Sequence, residues 1–212
     1  MKIVDLSHTI SPGMPVYPGT EPPEISIPCT IENDGFTEKK ITLYSHTGTH
    51  IDAPAHILSG APTLDALPLS SFMGKALAID FSSLDRSVID LDDLAKFETP
   101  IQSVDFVLIH SGWANLWGQT TYYDGYPVLS RESAEWLANF NLKGIGVDMI
   151  SIDRPDAHDL PIHRIFLSNN MVIVENLTNL SGLVNADIIF QCLPLKLETA
   201  DGSPVRAVAW IE

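Results

Sequence analysis

The chain is poor in cysteine and in positive charge. It holds two cysteines, Cys29 and Cys192, among 212 residues, with no C-x-x-C spacing. That argues against a thiolate zinc cluster and against a disulfide framework. Each cysteine lies in an apolar stretch and is expected as a small buried hydrophobe. Lys and Arg number 12 against 27 Asp and Glu, a formal net charge of -15. So few cations argue against binding nucleic acid or an anionic membrane. No run approaches the roughly 20 apolar residues that span a bilayer. The opening Met1-Lys2-Ile3-Val4-Asp5 carries an acid and is unlike a secretory signal, so the cytoplasm is the expected location. Repeats and low-complexity tracts are lacking. So are H-E-x-x-H and the G-x-S-x-G nucleophile elbow, which disfavours a zincin helix and a serine hydrolase.

What is present fits one globular domain over 1–212. Apolar residues make up 45% and charged residues 18%, ordinary for a packed core. Pro and Gly in 11–19 preclude a regular helix there. Short β-rich runs at 4–10, 25–31, 39–43, 76–81, 106–110, 144–147, 171–174, 188–193 and 205–211 read as strands. Glu32-Asn33-Asp34-Gly35 is turn chemistry. Two helices are signalled: 91–97, capped by Asp90, and 131–140, capped by Ser130. Strands outnumber helices. The expectation is a mixed α/β domain with a large β component and no alternating βαβ array.

The informative stretch is Ser45-His46-Thr47-Gly48-Thr49-His50-Ile51-Asp52-Ala53-Pro54-Ala55-His56. Seven histidines in the chain would place about 0.4 in an eleven-residue window, and 46–56 holds three plus an Asp. Imidazole and carboxylate are the preferred ligands of borderline divalent metals. A helix through Thr47, Gly48, Thr49, Ile51 and Pro54 is disfavoured. On an extended backbone His46, Gly48, His50 and Asp52 share one side, giving an open three-ligand site. Pro54 bends the chain before His56, which places that residue beside a metal in a proton-transfer role.

A second cluster, 148–163, follows an apolar strand. It contains Asp148, Asp153, Asp156, His158, Asp159 and His163 and reads as a site-bearing loop. Glu175 sits in the apolar run Met171–Leu177, where a buried carboxylate needs a partner such as a cation. Tyr17, Phe72, Trp113 and Trp117 are candidates to line an aromatic pocket.

These residues resemble the cyclase family of metal-dependent hydrolases, which includes bacterial kynurenine formamidase and isatin hydrolase. The hallmark H-x-G-T-H-x-D-x-P-x-H is matched at every fixed position by His46, Gly48, Thr49, His50, Asp52, Pro54 and His56. Met14–Gly19 is similar to the family's substrate-side loop, 148–153 to its D-x-x-S-x-D segment, and Val174–Leu177 to its I-x-E-N-L run. The resemblance implies a swivelling β/β/α fold and two divalent ions, zinc or manganese. His46, His50 and Asp52 would hold one ion. Asp52, His163 and Glu175 would hold the other, with His163 favoured over His158 by its distance to Glu175 in the family pattern. His56 would be the general acid/base and Tyr17 a substrate contact. The implied reaction is metal-hydroxide attack on the carbonyl of a small N-formyl aryl amide such as N-formylkynurenine. A lactam or lactone substrate, or a non-catalytic metal- or ligand-binding member, are the alternatives. The resemblance also implies a homodimer or larger homo-oligomer.

Overall fold

A computed structural model describes residues 1–211. The strands, in chain order, are β1 (Lys2–Asp5), β2 (Glu24–Cys29), β3 (Glu38–Thr42), β4 (His50–Asp52), β5 (Met73–Asp80), β6 (Val88–Ile89), β7 (Phe106–His110), β8 (Val128–Leu129), β9 (Gly144–Val147), β10 (Val172–Glu175), β11 (Ile188–Gln191), β12 (Gly202–Pro204) and β13 (Val208–Ile211). The helices are α1 (Ile31–Asp34), α2 (Leu91–Ala95), α3 (Glu98–Ile101), α4 (Arg131–Ala138) and α5 (Pro161–Ser168). Nine strands form one sheet in the order β1-β13-β11-β5-β7-β9-β10-β4-β12.

The centre of the sheet, β5-β7-β9-β10, is parallel, and both flanks are antiparallel. Helix-bearing crossovers join the parallel strands, so the middle of the fold is built from βαβ units after all. The apolar runs explain this. In β7, Val107 and Ile109 enter the core beneath the helices, while Phe106 and Leu108 enter a second core on the opposite face. In β10, Ile173 faces the first core and Val172 and Val174 the second. A strand covered on both faces has no polar side to present, hence the unbroken apolar sequence.

The two expected helices form at α2 and α4. Asp90 makes a capping box with Asp93, and the Ser130 side chain accepts the Ser133 amide. The 32–35 turn tightens into α1, closed by Gly35 at φ 80°. Helix α5 departs from the loop expected over 148–163. Its buried Ile162, His163, Phe166 and Leu167 follow helical spacing, but Pro161 and the acids before it read as loop. Pro161 occupies the first helical turn, where its missing amide costs nothing. Cys192 is buried as expected, whereas Cys29, at the end of a hairpin strand, is only half-buried.

Candidate metal centre

Strand β4 alternates across the sheet. Ile51 enters the second core, and His50 and Asp52 project from the other face. The antiparallel pairing with β10 sets His50 opposite Glu175 and Asp52 opposite Ile173. On the other edge of β4, Gly202 of β12 lies opposite Asp52. The extended reading holds for His50 and Asp52 only. Residues 46–49 turn, and Gly48 has φ 66° with space for a Cβ only 2.9 Å from Met14 Cε. That turn swings His46 back over Gly202 to reach the same centre. Thr49 secures it by donating its hydroxyl to the Asn176 carbonyl at 2.6 Å.

Asp153 explains α5. Its carboxylate accepts the amides of Ile162 and His163 at 2.9 Å each, capping the helix from eight residues upstream of Pro161. It also takes His163 Nδ1 at 2.7 Å, which turns Nε2 inward. His50 is held alike, with Nδ1 on the Gly48 carbonyl at 2.7 Å. The Asn176 amide donates to that same carbonyl at 3.0 Å. Glu175 is fixed by the Ile152 amide at 2.7 Å.

Four buried side chains then converge. His50 Nε2 stands 3.3 Å from Asp52 Oδ1 and 3.4 Å from Glu175 Oε2. His163 Nε2 stands 3.3 Å from Glu175 Oε1 and 3.6 Å from Asp52 Oδ2. These separations exceed good hydrogen bonds. Within each proposed ligand group, the 3.3 Å His50–Asp52 and His163–Glu175 separations match the roughly 3.3–3.4 Å between two donors about 2.0–2.1 Å from one tetrahedral ion. Among the described residues Asp52 Oδ2 is buried without a hydrogen-bond donor. An orphaned buried carboxylate oxygen amid inward imidazoles fits a divalent cation. Two donor groups share Asp52: His46, His50 and Asp52, and Asp52, His163 and Glu175.

The protonation equilibria agree. Burial pulls the His50 pKa down, yet Asp52 and Glu175 override it and raise it to about 10. Burial pushes Glu175 up, but His163 and His50 bring it down to about 2. His163 is raised well above the usual imidazole value against burial by Asp153, Asp52 and Glu175, and Asp52 is lowered against burial by His46 and His50. Without a cation, protons supply the positive charge that the carboxylates demand.

His56 lies beside this group in a one-turn segment, Pro54–His56. Its ring sits 3.9 Å from that of His46, and burial lowers its pKa against the attraction of Asp52. A cavity of about 430 Å³ opens over the centre, lined by His46, His50, His56, His163 and Glu175 and walled by Pro15, Val16, Tyr17 and Tyr44. A larger depression of about 550 Å³ on the α4–α5 surface is lined among the described residues by Arg131, Glu135, Asp159 and Arg164 and by no histidine. Tyr17 is thus brought to the site, and the other three aromatics are not. Phe72 is buried in the core on the opposite face, Trp113 donates its indole to the Tyr122 carbonyl, and Trp117 stacks on His8 at 3.8 Å. Each fills space where packing, not ligand contact, decides its position. His158 stays in the loop before α5 and joins no donor group among the described residues. Reasoning from sequence missed Asp201, 3.0 Å from His46 Nε2, and gave Asp153 and Asn176 no role.

A curled mixed sheet with a buried imidazole–carboxylate centre beneath a cavity defines a metal-dependent hydrolase. The family model described as "Putative cyclase" matches residues 4–154. The kynurenine formamidase of Bacillus cytotoxicus is 32% identical over 206 residues, covering 97% of this chain and 95% of that protein. Isatin hydrolase A from Ralstonia solanacearum superposes with TM-score 0.90 at 26% identity, over 100% of this chain and 92% of that one. A structure described as a potential metal-dependent hydrolase with cyclase activity gives TM-score 0.82 at 29% identity, over 98% and 96%. The chain belongs to the cyclase family.

Proposed function

We propose that this chain hydrolyses a small N-formyl aryl amide, of the kind N-formylkynurenine represents, with two divalent ions, zinc or manganese. The observation carrying this is the pair of donor groups that share the buried Asp52, with His46, His50, His163 and Glu175 lining one cavity. His46, His50 and Asp52 would hold one ion and Asp52, His163 and Glu175 the other. Bound there, the ions would polarise the scissile carbonyl and make water acidic enough to ionise near neutral pH.

The remaining steps fall to side chains. His56 faces Asp201 with Nδ1, at 3.6 Å, and lines the cavity. Its lowered pKa leaves the imidazole neutral at pH 7, able to accept a proton from water and return it to the departing nitrogen. Tyr17, 42% exposed at the cavity wall, would lie against the aryl ring, and Pro15 and Val16 would exclude water from it. The volume suits one aromatic ring with a short substituent.

The likeness to isatin hydrolase favours a second reading, ring opening of a cyclic amide. Both reactions add water to an amide carbonyl, and they differ in whether the amine leaves or stays tethered. A panel of N-formylkynurenine, isatin and simple lactones with metal-loaded protein decides between them. Turnover of the formyl amide at least about tenfold above isatin in kcat/KM is expected. The reverse order establishes the lactam reading, and inertness toward all three removes both.

We further infer a homodimer or larger homo-oligomer. Among the described residues the β2–β3 hairpin pairs only with itself, and it exposes more than half of Ile27, Ile31, Phe36 and Ile41. A two-stranded hairpin is marginal by itself, so an apolar surface of this kind points to a covering partner. The cytoplasm is the proposed setting, in keeping with two unpaired thiols. Among the described residues, no helix is long and apolar enough to cross a membrane.

A further inference from the structure

Each imidazole assigned to an ion needs its outer nitrogen fixed, because that bond sets both tautomer and ring direction. For His50 the holder is the Gly48 carbonyl, and for His163 it is Asp153. His46 is mounted the other way round. Nδ1 faces the centre, 2.7 Å from Asp52 Oδ1, and Nε2 faces outward. Its side chain is 23% exposed, the least enclosed of the three proposed ligand imidazoles. The outward nitrogen meets Asp201 Oδ2 at 3.0 Å.

Strand β12 supplies the rest of the mounting. A Cβ on Gly202 would come within 2.4 Å of His46 Cε1, so the ring lies flat on a backbone that only glycine leaves open. The Asp201 carbonyl accepts the Ala53 amide at 2.8 Å, which locks this segment to the end of β4. Two consecutive residues thus provide a floor for the ring and an acceptor for its outer nitrogen.

We propose that Asp201 is the positioning residue of His46, its carboxylate accepting the Nε2 proton so that Nδ1 is presented to the ion. This rests on the metal-dependent reading above. The same carboxylate stands 3.6 Å from His56 Nδ1, beyond hydrogen-bond distance, so its removal bears chiefly on His46. Asp201 also lines the cavity and could form a donor group with His46 and His56, and the role assigned to it here is exerted through the His46 imidazole.

The test is metal affinity of the full-length chain, independent of any substrate. Metal-stripped protein is titrated with Mn²⁺ or Zn²⁺ against a chromophoric chelator. Asp201→Ala is expected to weaken one of the two ions by about 10–100-fold and leave the other unchanged. Asp201→Asn, which keeps an acceptor oxygen, is expected to weaken the same ion only several-fold. The side chain is 46% exposed and truncation preserves the backbone bond to Ala53, so the metal-free variants should melt with the wild type. Affinities of both variants within about twofold of wild type overturn the proposal, as does equal weakening of both ions. If Asp201→Ala fails to fold, Asp201→Asn decides by the same threshold. A wild-type chain that takes up no divalent ion sinks the metal-dependent reading itself, a separate outcome.

Discussion

At the scale of single residues, position would separate holding a cation from moving a proton in the proposed centre. His50 and His163 are buried, carry inward Nε2 atoms and are raised in pKa by the carboxylates around them. His56 has the opposite environment. Burial dominates over the attraction of Asp52 and lowers its pKa, and its Nδ1 turns to the half-exposed Asp201. Both proposed donor groups are complete without it. His56→Ala should therefore keep both ions and lower kcat by about 10²–10⁴-fold, as loss of a general acid/base does. Metal content by elemental analysis beside a steady-state assay checks this. Undiminished turnover would take His56 out of the mechanism, and lost metal would make it a ligand.

At the scale of elements, Asp153 joins a helix to the centre. One carboxylate caps α5 and orients His163, so under the proposed assignment its loss should act on stability and on metal together. Asp153→Ala leaves two helix amides and one imidazole nitrogen without their acceptor. We expect a loss of about 1–2 kcal/mol from the cap, read by urea unfolding of metal-free protein, and weaker binding of the ion at His163 and Glu175. A stability change with unaltered metal affinity would limit Asp153 to capping. The hairpin gives a second prediction. Ile41→Glu together with Ile27→Glu puts charge on its exposed apolar surface and should shift the sedimentation of an oligomer to that of the monomer. An unchanged assembly would move the interface elsewhere.

These elements also show what a linear reading can reach. His46 to His56 lie within eleven residues, so their density was visible without knowing any fold. Glu175 stood out because a carboxylate interrupts a run that buries both faces. The parity argument succeeded for His50 and Asp52, which share strand β4, and failed for His46, which a left-handed Gly48 returns to the centre. Asp201 gave no local sign. It reaches His46 across 155 positions, through the pairing of β12 with β4, and a three-residue strand containing Gly and Pro has no strand signature. Helix α5 hid behind Pro161 because its cap, Asp153, lies outside the usual capping distance. Phe72, Trp113 and Trp117 carry the same chemistry as Tyr17, and composition cannot say which aromatic faces a core.

At the scale of the whole molecule, the centre couples folding to pH and to metal. In metal-free protein Glu175 has its pKa lowered from 4.5 to about 2, so its contribution is complete above 4.5 and fades as pH falls toward 2. His50 has its pKa raised from 6.5 to about 10, so its contribution is complete below 6.5 and fades as pH rises toward 10. Both contributions are complete only between 4.5 and 6.5, which is where the metal-free chain should be most stable. A divalent ion needs the imidazoles neutral, so binding expels their protons and tightens as pH rises. Metal should then raise the melting temperature more at about pH 8 than at about pH 5.5, in the range where the stripped chain has weakened. Melting curves with chelator and with Zn²⁺ or Mn²⁺ at both pH values check the sign. Calorimetric titrations in buffers of different ionisation enthalpy should show protons released on binding. A metal-induced gain that is equal at both pH values, with no proton release, would mean that the ion binds away from His50 and that the charge balance in this centre serves structure alone.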